Sequence, residues 1–228
     1  MSLFSRLTEK SWETPGAVAY AEPGDYRPSA EKVGLLTYFC VALVLFSLIT
    51  ASYLMRMTHG AVEGLPHDWR SIPRPALLWV NTAVLILASL VWEAARHAAR
   101  NGHKKRMRDW LFAGGALGFL FLAGQLIVWR QLHDAGYFLA GPSLCLSDWS
   151  GIDQPALHFV SSNPAIGFFF LITAIHGLHI AGGLGAWSRA VARLTGGREI
   201  GSIVDLSAIY WHFLLAVWLA MFGLMLMT

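Results

Sequence analysis

The sequence predicts an all-α integral membrane protein, a bundle of five transmembrane helices with its N-terminus inside and its C-terminus outside. Three observations carry this. Of 228 residues, 55% are hydrophobic and only 14% charged, against about a quarter charged in an ordinary soluble domain, and the mean hydropathy is +0.49. The 17 basic and 14 acidic residues crowd into a few stretches and leave long apolar tracts between them. Five of those tracts are long enough to cross a hydrocarbon core about 30 Å thick at a rise of about 1.5 Å per residue. A soluble helical protein would need far more polar surface than this chain owns, and a disordered, collagen-like or disulfide-framework chain has a different composition altogether.

Residues 1–32 read as a cytoplasmic N-terminal tail, with Glu, Lys, Pro and Gly and no apolar core of signal-peptide length, so no cleavage is expected there. The transmembrane domain, 33–228, follows, with spans at 33–55, 75–95, 110–132, 164–188 and 204–227. Pro75 and Pro164 stand where a helix start tolerates a missing N–H, and Gly196-Gly197 separates the last two spans. Cys40 lies in the first tract and Cys145 in a polar loop, with no CxxC, so neither a disulfide nor a cysteine metal site is expected.

Topology follows from Lys and Arg. The loop after the second span holds Arg96, Arg100, Lys104, Lys105, Arg106 and Arg108, whereas the loop after the third holds only Arg130 beside Asp134, Asp148 and Asp153. The first loop is therefore inside and the second outside. Alternation places the tail and the last loop (Arg189, Arg193, Arg198) inside as well, which puts 13 of the 17 basic residues on the inner face. The net charge of +3 is thus a topology signal in contact with phospholipid headgroups, and no nucleic-acid partner is expected.

Trp69, Trp92, Trp110, Trp129, Trp187 and Trp211 fall near tract ends and read as interfacial anchors. Small residues at helical spacing, Gly114 and Gly118 in the third tract and Ala174, Gly177, Ala181 and Gly185 in the fourth, let helices approach closely.

Ionisable residues at membrane depth are unfavourable and therefore informative. His176 and His179 share a face of the fourth helix and His212 lies on the fifth. Antiparallel neighbours would bring His179 and His212 to similar depths, about 12 to 14 Å from the inner ends. A metal site of three imidazoles and a haem with axial histidines both remain readings of this set. No acidic ligand accompanies them, however, and the default is interhelical hydrogen bonding with Tyr210 as a partner. Glu93, Arg96, His97 and Arg100, at spacings of three, four and seven, have the geometry of a solvated ion-pair cluster at the inner surface. Asn81, Thr82 and Gln125 are expected to make hydrogen bonds between helices. No GxSxG, phosphate-binding loop, HExxH or paired-carboxylate arrangement occurs, so no self-sufficient active site is expected.

At the histidine-bearing helices the chain resembles subunit III of the haem-copper terminal oxidases, the cytochrome c oxidase subunit 3 family. The fourth tract reads A-I-H-G-L-H-I-A-G-G, similar to that family's F-H-G-L-H-V-I-I-G at His176, Gly177, Leu178 and His179. The fifth reads Y-W-H-F-L-L-A-V-W-L, similar to Y-W-H-F-V-D-V-V-W-L at Tyr210, Trp211, His212, Phe213, Val217, Trp218 and Leu219. Asn81-Thr82 through His97 to Gly102 and Lys105 runs parallel to the family too, and the resemblance covers roughly Lys32 to Met227. It implies a short five-helix bacterial member, a multi-pass protein of the inner membrane. Such a chain holds no cofactor or metal and has no catalytic residue of its own. It packs against catalytic subunit I, which carries haem and copper, with subunit II in the same complex, binds phospholipid, and supports oxygen reduction and proton uptake from the inner side.

Two departures mark the chain as divergent. Where the family has a Ser-Glu pair in its first shared helix, this chain has Val41 and Ala42 and no carboxylate anywhere in that helix; where the last motif has Asp, it has Leu215. Roles that rest on those acids do not carry over. The resemblance leaves cytochrome c as the expected electron donor, with accessory subunits of quinol oxidases and nitric oxide reductases as alternatives. A membrane haem or metal protein using His176, His179 and His212 is the alternative of another class. A small transporter is the weakest, because neither broken helices nor a repeat are visible.

Overall fold

The computed structural model describes residues 29–62, 76–135, 164–197 and 200–227. Their regular elements are five helices: α1 (Ala30–Val62), α2 (Ala76–Arg100), α3 (Lys104–Asp134), α4 (Pro164–Thr195) and α5 (Gly201–Met227). All five are long and apolar enough to cross a membrane. The expected tail lies almost wholly outside the described residues, as do Trp69 and Cys145.

The helices overrun the spans read from hydropathy. A hydropathy tract ends where hydrocarbon ends, but the backbone beyond it is still best satisfied by continuing its own ladder, and Arg, Lys and Glu are good helix formers. The basic loop therefore shrinks to a turn at Asn101, Gly102 and His103, with Arg96 and Arg100 on α2 and Lys104 to Arg108 on α3. Gly102, at φ +71°, closes α2: its N–H donates to the Ala99 carbonyl at 3.2 Å and the His103 N–H donates to Ala98 at 2.9 Å. Only a residue at ease in the left-handed region ends a helix this way. Gly197, also at φ +71°, ends α4 with its N–H on the Leu194 carbonyl. Both turns lie at one end of the bundle and line a common cavity with Lys104, Ile200 and Gly201, and this end is called the basic end below. α1 begins early enough to carry Glu31 in its first turn, so the helix does contain one carboxylate, at its terminus rather than at membrane depth.

α2, α3, α4 and α5 pack directly on one another, most closely α2 on α3. α1 stands farther off and reaches α4 and α5 through long side chains: Phe39 stacks on Phe213 at 4.2 Å, Tyr53 meets Phe168 edge-on, and the Thr50 hydroxyl lies 3.6 Å from Met221 Sδ.

The glycines of α3 do more than let two backbones close. Each seats a ring or an amide from a neighbouring helix. A Cβ on Gly114 would lie 2.8 Å from Trp92 Nε1, one on Gly118 would lie 2.6 Å from Trp211 Cη2, and one on Gly115 would overlap the Trp187 indole. Gly124 faces Asn81 in the same way. The small-residue stripe expected on α4 does not pack like this: Gly185 faces open space and Gly177 has only Leu122 at 3.8 Å, while Gly183, off that stripe, seats the Tyr210 ring.

Nor do all the tryptophans anchor at an interface. Trp92 and Trp211 are 0% and 1% exposed and stack on each other at 5.8 Å and 16°. They lie near span ends by count, but the helices continue past those ends and their neighbours on α3 are glycines, so the indoles turn inward. Trp187 donates to the Leu111 carbonyl and Trp129 to Thr173 Oγ1, which ties α4 to α3 twice. Trp110 is exposed.

Replacing Gly118 by Val should drive a side chain into Trp211 and lower stability by about 1–3 kcal/mol, whereas Gly185→Ala should be neutral or mildly stabilising. Thermal unfolding in detergent micelles reads both, and equal melting of the two variants would contradict the ring-seating role.

Candidate functional site

Trp92 and Trp211 set the register between α2 and α5, and the next residue on each helix is ionisable. Glu93 and His212 are thereby brought side by side, with His212 Nε2 at 3.1 Å from Glu93 Oε2. A carboxylate can only accept, so Nε2–H donates, and Nδ1 pairs with the Ser89 hydroxyl from one turn earlier on α2. Arg96 reaches the same Glu93 oxygen at 3.4 Å and, through Nε, Asp205 Oδ1 at 2.6 Å. Arg100 donates to Asp205 Oδ1 at 2.8 Å. The result is a continuous polar ladder from Ser89, which is buried, to the basic end: Ser89, His212, Glu93, Arg96, Asp205, Arg100.

This differs from a single solvated cluster on α2. Arg96 and Arg100 turn across to Asp205 on α5, and His97 points away, with its Nε2 2.9 Å from Asn101 Nδ2. Sequence reasoning missed Asp205 and Ser89, although the signal was present. Asp205 and His212 are seven apart, two helical turns, and Ser89, Glu93, Arg96 and Arg100 step by four, three and four, so each set shares one helix face.

The three histidines do not converge. His176 is 1% exposed and sits in an aromatic box, with ring centroids 5.1 Å from Trp218, 5.9 Å from Phe121 and 6.4 Å from Phe46. Neither of its ring nitrogens has a hydrogen-bond partner among the described residues, and the faces of the surrounding rings offer only weak acceptance. His179, one turn on, donates from Nδ1 to the Ile175 carbonyl at 2.7 Å and lies against Tyr38 and Phe46 of α1. His212 faces α2. Among the described residues no hydrogen bond joins any two of them, and no three or more His, Cys, Asp or Glu side chains are grouped to hold a metal ion.

Tyr210, expected as a partner for a histidine ring, donates instead to the His179 backbone carbonyl at 2.6 Å, with Tyr38 Oη 3.3 Å away. Gly177 lies between the two α4 histidines, where an added Cβ would lie 3.8 Å from Leu122. Trp218 donates to Thr82 Oγ1 at 3.0 Å, which itself donates to the Leu78 carbonyl, and Asn81 Nδ2 lies 3.5 Å from Gln125 Oε1. These two contacts tie α2 to α5 and α2 to α3. At the positions where the resemblance expects membrane acids, Ala42 is 3% exposed and Leu215 packs against the main core.

No family model matches the chain. Individual proteins do. Over 222 residues, 93% of this chain and 94% of the relative, it is 26% identical to cytochrome c oxidase subunit 3 of Thermostichus vulcanus. Over 218 residues, 92% of this chain and 79% of the relative, it is 26% identical to cytochrome c oxidase subunit 3 of Synechocystis. The same identity holds over 197 residues, 83% and 80%, with subunit 3 of the cytochrome bo(3) ubiquinol oxidase of Pseudomonas aeruginosa.

Asp205→Asn should leave the Arg96 and Arg100 guanidinium groups facing each other without their shared carboxylate and cost about 1–2 kcal/mol. Disrupting the exposed Arg108–Asp109 pair, 3.7 Å apart, by Asp109→Asn should change stability by less than about 0.5 kcal/mol. Chemical unfolding in mixed micelles compares them, and similar losses from the two variants would count against a structural role for Asp205.

Proposed function

We infer that the chain, a divergent member of the cytochrome c oxidase subunit 3 family, serves as the accessory subunit of a bacterial haem-copper respiratory oxidase. It is a multi-pass membrane protein. In this reading it lies in the inner membrane with its basic end toward the cytoplasm and packs against catalytic subunit I. Subunit II belongs to the same assembly, haem and copper are held by those partners, and phospholipid covers its remaining outer faces. The observation that carries the reading is similarity from end to end, over 93% of this chain and 94% of a subunit 3 protein. The distribution of Lys and Arg supports the orientation.

The ladder and the aromatic box suit an accessory role. Both tie helices of this chain together, and neither presents a nucleophile, a paired acid and base, or a converging ligand set. A metal or haem site on His176, His179 and His212 would need imidazole nitrogens about 2 Å from one ion. Here one ring is enclosed by aromatic side chains, one donates to its own helix backbone and one is held between Ser89 and Glu93. Cytochrome c is the first choice of electron donor. Quinol is the second, because the Pseudomonas aeruginosa relative belongs to a ubiquinol oxidase.

Purified alone, the chain should show no haem absorbance and no copper; purified with its partners in mild detergent, it should bring a haem-copper catalytic subunit with it. Stoichiometric haem on the isolated chain would overturn the reading. His212→Leu should weaken assembly with the catalytic subunit while turnover per assembled complex stays close to wild type, measured as oxygen uptake per haem. Full assembly with lost turnover would place His212 in the chemistry instead.

A further inference from the structure

The polar ladder opens onto the outside of the bundle. The side chains of Glu93 and His212 are 47% and 42% exposed. His212 lies inside the apolar tract of α5, seven residues beyond Asp205 and about 10 Å farther from the basic end, whereas Glu93 sits close to that end of the α2 tract. Pairing with His212 holds the Glu93 carboxylate near that level. Both hydrogen bonds that Glu93 accepts use Oε2, and Oε1 accepts none from the described residues. An ionisable pair half exposed to acyl chains is strongly unfavourable, so this face is not built for lipid tails.

The surface beside the pair is shaped for a helix. Along α5 from His212, Ala216 and Ala220 follow at one-turn intervals, both exposed, and small residues on an outer face let a second helix come close. Residues 41–55 of α1 expose Val41, Val44, Leu48 and Met55 and carry no charged side chain, so that face has no acceptor like Glu93 to match.

We propose that the α2–α5 face centred on Glu93 and His212 is the docking surface for a transmembrane helix of the catalytic subunit, one that packs over Ala216 and Ala220 and presents a hydrogen-bond donor to Glu93 Oε1. The proposal rests on the accessory-subunit reading and adds the face and the chemistry of the contact. A second copy of this chain fits less well, because the donors of the patch are already engaged: His212 on Glu93, Ser89 on His212, Arg96 on Glu93 and Asp205. Lipid headgroups carry donors but sit at the ends of the bundle, and acyl chains carry none.

The test uses the whole assembly in native membranes, with photoreactive benzoylphenylalanine placed at 90 and 216 on this face, at 48 on α1 and at 178 on α4. Positions 90 and 216 should crosslink to the catalytic subunit, and 48 and 178 should not. Independently, Glu93→Leu should reduce the catalytic subunit retained per tagged chain by about threefold or more, while Glu93→Gln, which keeps an acceptor oxygen, should retain most of it. Crosslinks to the catalytic subunit from 48 or 178 alone, crosslinks from 90 and 216 only to lipid or a second copy, or undiminished retention by Glu93→Leu would each overturn this face while leaving the accessory role intact. Failure of the wild-type chain to bring down any haem-copper subunit would overturn the accessory role itself.

Discussion

Two indoles stacked over a row of glycines hold the bundle in register. Inside a membrane, lipid tails are as apolar as leucine, so helices gain little from hiding apolar surface and must associate through close packing and hydrogen bonds. The α3 glycines meet that requirement by leaving hollows into which rings from three other helices fit: Trp92 from α2, Trp187 from α4 and Trp211 from α5. Each indole offers a large rigid surface with few torsions to fix. Because Trp92 and Trp211 stack on each other as well as on α3, the rotation and height of α2 relative to α5 are set by rings rather than by their polar groups.

The ladder is a consequence of that register. Glu93 follows Trp92 and His212 follows Trp211, so stacking the indoles presents the carboxylate to the imidazole. One to two turns toward the basic end, the same alignment brings Arg96 and Arg100 onto Asp205. Removing such groups from water is unfavourable unless each finds a partner, and here each does, with the acids drawn from both helices. α1 is attached on another principle, through aromatic side chains that span a gap, with Tyr38 and Phe46 reaching to His179 and His176. The histidines of α4 therefore serve the α1 seam and the interior, while the histidine of α5 serves the ladder.

The five spans were legible because twenty or so consecutive apolar residues have one meaning in a chain this poor in charge. Their ends were not, because hydropathy reports where hydrocarbon stops and not where the backbone ladder stops. Arg96 to Arg108 looked like a loop for that reason and is largely helix. Gly114 and Gly118 were legible as close-approach positions, but sequence spacing cannot say whether a backbone or a ring fills the hollow, and the equally regular row on α4 fills none. Tryptophans near span ends satisfy the interfacial rule and the core rule alike, and only the identity of the facing residue separates Trp92 from Trp110. Asp205 escaped notice because its partners lie more than a hundred residues earlier, a distance at which pairing follows from the fold and not from local spacing.

The same register explains how a chain without the two expected membrane acids still carries acids in its helices. Ala42 is buried on α1, beside the level where Tyr38 and Phe46 meet the α4 histidines, and Leu215 lies against the main core. A carboxylate at either place would have to be paired within an apolar surrounding. Glu93 and Asp205 occupy a different seam, between α2 and α5, where two guanidinium groups, an imidazole and a hydroxyl are in reach. Three ion pairs join α2 to α5 along that seam, so the charges that the helices carry there are matched by the same register that stacks the two indoles.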